Sequence, residues 1–352
     1  MEIKNIIKTM VNDNATDIFI VPGKSITYKK NGKMYNLTEK VLSPNDSVTI
    51  IHSIYDLADN RNMDKFIETG DDDFAFSIKG LARFRANIYK QRGSFAAVLR
   101  VINYTIPDPL KLGIKDEILN VANIDKGLVL VTGSAGSGKS TTLACIIDCI
   151  NENRQSHIIT LEDPLEYIHH HKKSIVSQRE ISCDTINFIT ALRATLRQSP
   201  DVVLIGELRD YETMGVAMTA AETGHLILSS LHTVGAANSI DRIVDSFPAN
   251  QQQQILLQLS MVLKVVISQV LIPTIDGELV PIFEIMVMTP AIKNLIREGK
   301  IHQLDNVIST SSLTDGMISI DQSILELYNA KRITKDTALL YSTNPELMKK
   351  KL

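Results

Sequence analysis

The stretch Gly133-Ser134-Ala135-Gly136-Ser137-Gly138-Lys139-Ser140 fits the pattern G-x-x-x-x-G-K-[ST] at every fixed position. That pattern builds a phosphate cradle. Glycines let backbone N–H groups turn inward onto a phosphate chain, and a helix starting at the lysine adds its partial positive charge. Lys139 is expected to reach the outer phosphates and the Ser140 hydroxyl to hold Mg²⁺, with Thr141 completing the binding segment. Two carboxylates stand at predicted strand ends, Glu162 after an apolar run and Glu207 after another. Two acids near one phosphate loop are costly to desolvate together without a cation, and Mg²⁺-ATP supplies one. Glu207 is expected to orient Mg²⁺, directly or through water, and Glu162 to polarise the attacking water. The residues alone leave these roles open to exchange. His225 and His232 bracket a third apolar run, and an imidazole at a strand end can sense a γ-phosphate. By spacing alone, a structural histidine is the commoner meaning. Arg83, Arg85, Arg92 and Arg100 form a basic group far from the loop in sequence. Arg83 and Arg85, two apart on a predicted strand, share a face. They read as a solvated face or as arginines that reach a nucleotide, including one bound by a neighbouring subunit.

Elements must bring these groups together. Residues 127–132 (GLVLVT) read as a buried strand before the loop and residues 141–153 as a helix after it. Further strands are predicted at 157–161, 201–205 and 226–231, alternating with helices that Asp184 and Asp210 can cap, the first running to about Ser199. Apolar strands alternating with helices imply an α/β fold with a largely parallel sheet covered on both faces. Ligands then sit at the carboxyl ends of the strands. Beyond Pro290 the chain reads as mostly helical: 291–298 closed by Gly299, a stretch near 301–308, and helices near 321–330 and 334–342. The N-terminal part reads differently. A helix at 2–13, with Ile3, Ile6, Ile7 and Met10 on one face, precedes a strand at 17–21. A hairpin at 26–30 and 33–36 turns on Asn31-Gly32, and residues 44–69 are helical in two pieces. Strands follow at 73–78, 82–90 and 95–102. This is a small α+β domain with a mixed sheet. Residues 104–114 carry two prolines and a glycine and read as a linker.

Composition narrows the function. The chain has 352 residues, enough for two domains, with 44% hydrophobic and 22% charged residues. A net charge of −3 argues against bulk electrostatic binding to nucleic acid or anionic membrane. The N-terminus lacks the apolar core of a signal peptide. The most apolar long window, residues 255–273, is interrupted by Gln258, Lys264 and Gln269 and suits a buried helix leading into a strand. Cys145, Cys149 and Cys183 form no Cys-x-x-Cys pair, so neither disulfides nor zinc is expected, and the chain reads as cytoplasmic. His169–His171 reads as a solvated loop rather than a metal tract.

Several motifs in order carry a family resemblance over nearly the whole chain. The phosphate loop matches a Walker A motif. Residues 159–167 (ITLEDPLEY) match an "Asp box", 201–209 (DVVLIGELR) an atypical Walker B, and 220–233 (AAETGHLILSSLHT) a "His box". Residues 290–298 (PAIKNLIRE) resemble a C-terminal signature of retraction motors, and 83–87 with 91–93 resemble arginine-bearing N-terminal strands. The chain thus resembles the type II/type IV pilus secretion ATPases, and within them the pilus retraction motors. The resemblance implies a PAS-like N-terminal domain over 1–103, the linker 104–114, and a RecA-like P-loop ATPase domain over 115–352 with C-terminal helices from about 289. It implies a homo-hexamer that binds ATP and Mg²⁺ between its domains, with N-terminal arginines completing the site. Glu162 and Glu207 would be the acidic catalytic positions, and His225 and His232 the His-box pair. It also implies an inner-membrane pilus platform protein as partner, contact with the membrane only through that partner, and no nucleic-acid ligand. Ser134-Ala135 stands where retraction motors usually have Pro-Thr, residues 16–20 and 23–32 diverge, and residues 256–264 lack a glutamate common in the family. The expected function is an ATPase motor powering pilus retraction and twitching motility. A pilus-assembly or type II secretion ATPase and a non-hydrolysing nucleotide-gated regulator are the alternatives.

Overall fold

The computed structural model describes residues 3–30, 32–102, 105–310 and 316–352. Residue 2 of the first expected helix, Asn31 of the hairpin turn and residues 103–104 at the expected domain boundary lie outside these. The chain divides into two compact units, residues 1–105 with 166–168, and residues 106–165 with 169–352.

In the first unit, helix α1 (Ile3–Asn12) buries Ile3, Ile6, Ile7 and Met10, the face that its sequence spacing defines. Strands β1 (Asp17–Ile20), β2 (Thr27–Lys30) and β3 (Lys33–Asn36) precede helices α2 (Pro44–Leu57) and α3 (Asp64–Thr69). A capping box starts α2: the Ser43 hydroxyl accepts from the Asp46 N–H, and the Asp46 carboxylate accepts from the Ser43 N–H. Strands β4 (Asp71–Ile78), β5 (Ala82–Gln91) and β6 (Ser94–Ile102) complete a six-stranded sheet of order β3-β2-β1-β6-β5-β4. Every neighbouring pair is antiparallel, which corrects the expected mixed sheet. The reason is local: short turns join β2 to β3 and β4 to β5 to β6, and a tight turn can only return the chain antiparallel. At Arg92-Gly93 both residues take positive φ, 48° and 74°, the backbone a two-residue hairpin turn favours. Helices cover one face of this sheet around Ile18, Ile51, Tyr55, Phe66 and Phe84.

The second unit opens with helix α4 (Asp116–Leu119) and then alternates β7 (Gly127–Thr132), α5 (Lys139–Asn153), β8 (His157–Glu162), β9 (Ile175–Glu180), α6 (Phe188–Thr195), β10 (Val202–Ile205), α7 (Tyr211–Glu222), β11 (Leu226–Leu231), α8 (Ala236–Asp245), α9 (Ala249–Val262), β12 (Leu263–Pro273) and β13 (Leu279–Val287). Helices α10 (Pro290–Arg297), α11 (Leu304–Thr310), α12 (Ile320–Asn329), α13 (Lys335–Tyr341) and α14 (Pro345–Lys351) end the chain. The seven strands lie in the order β13-β12-β7-β11-β10-β8-β9, parallel except for β13. Leu128, Leu130, Val203, Ile205 and Ile227 face one core with α7, α8 and α9. Val129, Val131, Val202, Leu204 and Leu228 face the other, against α5. Successive residues thus bury on opposite faces, which explains the unbroken apolar runs.

Three expectations need correction. Asp184 does not cap α6. Its carboxylate instead accepts from the Glu180 N–H at 2.8 Å, closing the turn after β9, and Asn187 is the cap. The helix therefore begins at Phe188 and ends at Thr195, short of Ser199. His169 is not in a solvated loop: it is buried, and its N–H donates to Gln178 Oε1 at 2.7 Å. Burial holds its imidazole pKa down at about 4. Ile106, Leu112 and Ile114 pack into the core beside α5, so most of the segment read as a linker folds onto the second unit.

Candidate active site

Strand β7 delivers the phosphate loop to the carboxyl edge of the parallel sheet. Gly133, Gly136 and Gly138 all take positive φ. At Gly133 no other residue fits, because a Cβ there would lie 2.3 Å from the Gln269 carbonyl oxygen and 2.6 Å from Ser137 Oγ. Gly138, in a left-handed conformation, starts the 15-residue helix α5. Lys139 is buried, and its ammonium curls back to donate to the carbonyls of Gly133 at 3.0 Å and Ser134 at 2.8 Å. Ser137 Oγ is buried without a hydrogen-bond partner. A buried cation, an unsatisfied hydroxyl and a helix N-terminus around a glycine cradle fit a chain of phosphates.

The two acids stand at the tips of adjacent strands. Leu161 of β8 pairs with Ile205 of β10, so Glu162 and Gly206-Glu207 leave the sheet side by side. The Glu207 peptide is fixed from β11: Ser230 Oγ donates to the Gly206 carbonyl at 2.6 Å, and the Leu208 N–H donates to the Ser230 carbonyl at 3.1 Å. The Glu207 carboxylate pairs with the Arg209 guanidinium through one oxygen. Its other oxygen lies 3.3 Å from His232 Nε2. The His232 ring reaches Lys139 as well, with Nδ1 3.4 Å from Nζ. A lysine ammonium only donates and a carboxylate only accepts, so these neighbours assign a ring that accepts at Nδ1 and donates from Nε2. Lys139, His232 and Glu207 therefore form a polar line across the tips of β7, β11 and β10. Glu162 is half-buried at the tip of β8, the strand next to β10, with Gln178 Nε2 3.4 Å from its Oε1.

One predicted residue of the second unit lies away from this line. His225 precedes β11 at the opposite edge of the sheet, its Nδ1 3.0 Å from the Ala220 carbonyl at the end of α7. The six residues of β11 separate it from His232 by about 20 Å. The structure does not bring it to the phosphate loop. Arg83, Arg85 and Arg100 share the sheet face of the first unit opposite the helices, with Arg85 and Arg100 in register. Arg85 pairs with Asp73 at 2.6 Å and Arg100 with Asp17 at 3.0 Å. Arg92 is exposed in the hairpin turn.

The sequence reading missed several polar residues that hold this site. Gln269 on β12 is buried beside the loop, and its Oε1 accepts from the Thr142 hydroxyl at 2.7 Å. Ser229 and Ser230 on β11 and Ser268 on β12 are buried too. Their one signal is a polar residue inside an otherwise apolar strand, which costs stability unless a fixed partner waits for it. Glu284 of β13 is another. It accepts from the Ala236 N–H at 2.7 Å, while burial raises its pKa above the ordinary carboxylate value.

Comparisons with known proteins point the same way. The family described as "Type II/IV secretion system protein" matches residues 1–279. The chain is 40% identical to the type IV pilus retraction ATPase PilT of Pseudomonas aeruginosa over 98% of its own length and 99% of the relative. It is 38% identical to the type IV pilus ATPase PilU of the same organism, over 97% of this chain and 89% of the relative. A crystal structure of the pilus retraction motor PilT with bound ADP superimposes with a TM-score of 0.90 at 42% identity, covering 99% of both chains.

Proposed function

The chain belongs to the type II/IV secretion ATPase family, is an ATP hydrolase on that ground, and from this premise we propose that it is a hexameric motor powering type IV pilus retraction. One observation supports the reading above the rest. The Glu207 carboxylate stands within contact of His232, which itself touches the buried lysine of the phosphate loop. An acid, an imidazole and a phosphate-binding cation so connected suit hydrolysis of a nucleotide triphosphate. The second unit serves as a RecA-like core and the first as a PAS-like module.

Residues 133–141 bind the phosphates of ATP, a reading in keeping with a similar motor crystallised with bound ADP. Among the described residues no group of three or more His, Cys, Asp or Glu is placed to hold a metal ion. The Mg²⁺ that accompanies ATP would be held by the Ser140 hydroxyl and, through water, by Glu207, and would neutralise phosphate charge. Glu162 orients a water for in-line attack on the γ-phosphorus and takes its proton as the bond to the bridging oxygen breaks. His232 follows the γ-phosphate through Lys139 and Glu207, and His225 serves the same motif from outside this cluster. Arg83, Arg85, Arg92 and Arg100 supply positive charge to a nucleotide. The ion pairs of Arg85 and Arg100 are partly exposed and contribute only about 0–1 kcal/mol each, so exchanging a carboxylate for a phosphate costs little.

Retraction rather than assembly is favoured by the PAIKNLIRE segment, which forms α10 with Thr289 as its N-cap, and by the name of the relative PilT. The pilus platform protein is the proposed partner, on the cytoplasmic side of the inner membrane. No helix of the described residues is long and apolar enough to cross a membrane. Deleting the gene in a piliated host tests the direction of the motor. Excess surface pili with loss of twitching is the expected outcome, and a bald surface would assign the chain to assembly.

A further inference from the structure

Strand β12 reaches the nucleotide site from both of its faces. Ser268 and Gln269 are adjacent, so their side chains point to opposite sides of the sheet. On the α5 side, Gln269 Oε1 accepts from Thr142 in the first turn of that helix at 2.7 Å. A methyl group at Gly138 would lie 2.9 Å from Gln269 Nε2, and one at Gly133 would lie 2.3 Å from the Gln269 carbonyl oxygen. One residue thus abuts the first and last glycines of the phosphate loop. On the α8 side, Ser268 Oγ accepts from the Gly235 N–H at 2.8 Å, three residues beyond His232. Ser268 faces Glu284 across the β12–β13 pair, and Glu284 accepts from the next N–H, that of Ala236.

We propose that Ser268 and Gln269 are positioning residues for ATP hydrolysis, each setting one loop: Gln269 the phosphate loop, and Ser268 the loop that carries His232. This rests on the nucleotide-site reading above. A loop with three glycines has little stiffness of its own, so its bound shape must be imposed from outside. The buried Gln269 amide does this because it is costly to leave unpaired, and its partner and neighbours are the loop and its helix. Ser268 acts on His232 in the same way, through the backbone that follows it. Because the two act on different loops, they affect different steps. Gln269 governs nucleotide affinity, and Ser268 governs turnover of bound ATP.

The test uses the full-length chain, with fluorescently labelled ADP binding and steady-state phosphate release. Gln269→Ala should weaken ADP binding and raise the KM for ATP about tenfold, with kcat within about twofold of wild type. Ser268→Ala should lower kcat about tenfold and leave ADP affinity within about twofold. Gln269→Glu keeps the acceptor for Thr142 but replaces the amide NH₂ beside Gly138 with an oxygen. It should bind ADP no better than the alanine variant, whereas a merely structural amide predicts rescue. Both variants moving KM and kcat alike, or neither moving either, overturns the proposal while wild-type binding stands. A wild-type chain that binds no ADP brings down the nucleotide-site reading along with it.

Discussion

The Glu207 carboxylate stands between an imidazole and a guanidinium, and each contact restricts what it can do. Its link through His232 to Lys139 ties the acid to the phosphate loop. Arg209 is largely exposed and occupies the other oxygen. Removing the imidazole in His232→Ala breaks the line between loop and acid, and turnover should fall at least about tenfold, checked by phosphate release at saturating ATP. Gly133→Ala makes a harsher demand. Its methyl would collide with a strand backbone that has no room to move, so the loop must deform. Labelled ADP should no longer bind, while circular dichroism should report an intact fold. Lys139 and Glu207 were legible in the sequence because fixed spacing and flanking strands identify them. Gln269 and Ser230 were not, since nothing in a lone amide or hydroxyl says which loop will fold against it.

At the scale of elements, the strongest signals came from burial on two faces. The runs at β7, β10 and β11 are buried at every position and largely apolar because core lies above and below them. Truncating one side chain there leaves a cavity that close-packed neighbours fill only in part. Leu130→Ala should cost about 2–5 kcal/mol, measured as a shift in the denaturant midpoint of the second unit. Weaker signals failed for physical reasons. Strand β9 is an edge strand with several half-exposed polar positions, and it went unpredicted. Helix α8 and strand β13 were missed as well. Asp184 precedes a predicted helix as a good cap would, yet the nearer turn after β9 took its carboxylate. The first unit was anticipated strand by strand, but the direction of pairing followed from turn length and from β1 pairing with β6, which periodicity does not encode.

At the scale of the whole molecule, pH acts on stability through one buried ring. His169 keeps its imidazole neutral to about pH 4, against an ordinary value of 6.5. Between those values the unfolded chain takes up a proton that the folded chain refuses. Stability is therefore full above about pH 6.5 and falls as pH drops toward 4, by about 3 kcal/mol from this group. His169→Gln should show a shallower decline across that window in thermal denaturation, and an unchanged slope would remove His169 from the account. The family was legible from motif order, and the whole-chain likeness to PilT agrees with it. The acids and the phosphate loop meet at one sheet edge, whereas His225 sits at the other because the six residues before His232 form the full length of a strand. In the proposed function, Glu207 serves hydrolysis while residues 133–141 hold the nucleotide. The most direct measurement is Glu207→Gln assayed in parallel for Mg²⁺-ATP binding and for phosphate release. Affinity within a few-fold of wild type, with turnover reduced at least about a hundredfold, is the predicted result; wild-type turnover in that variant would contradict the account.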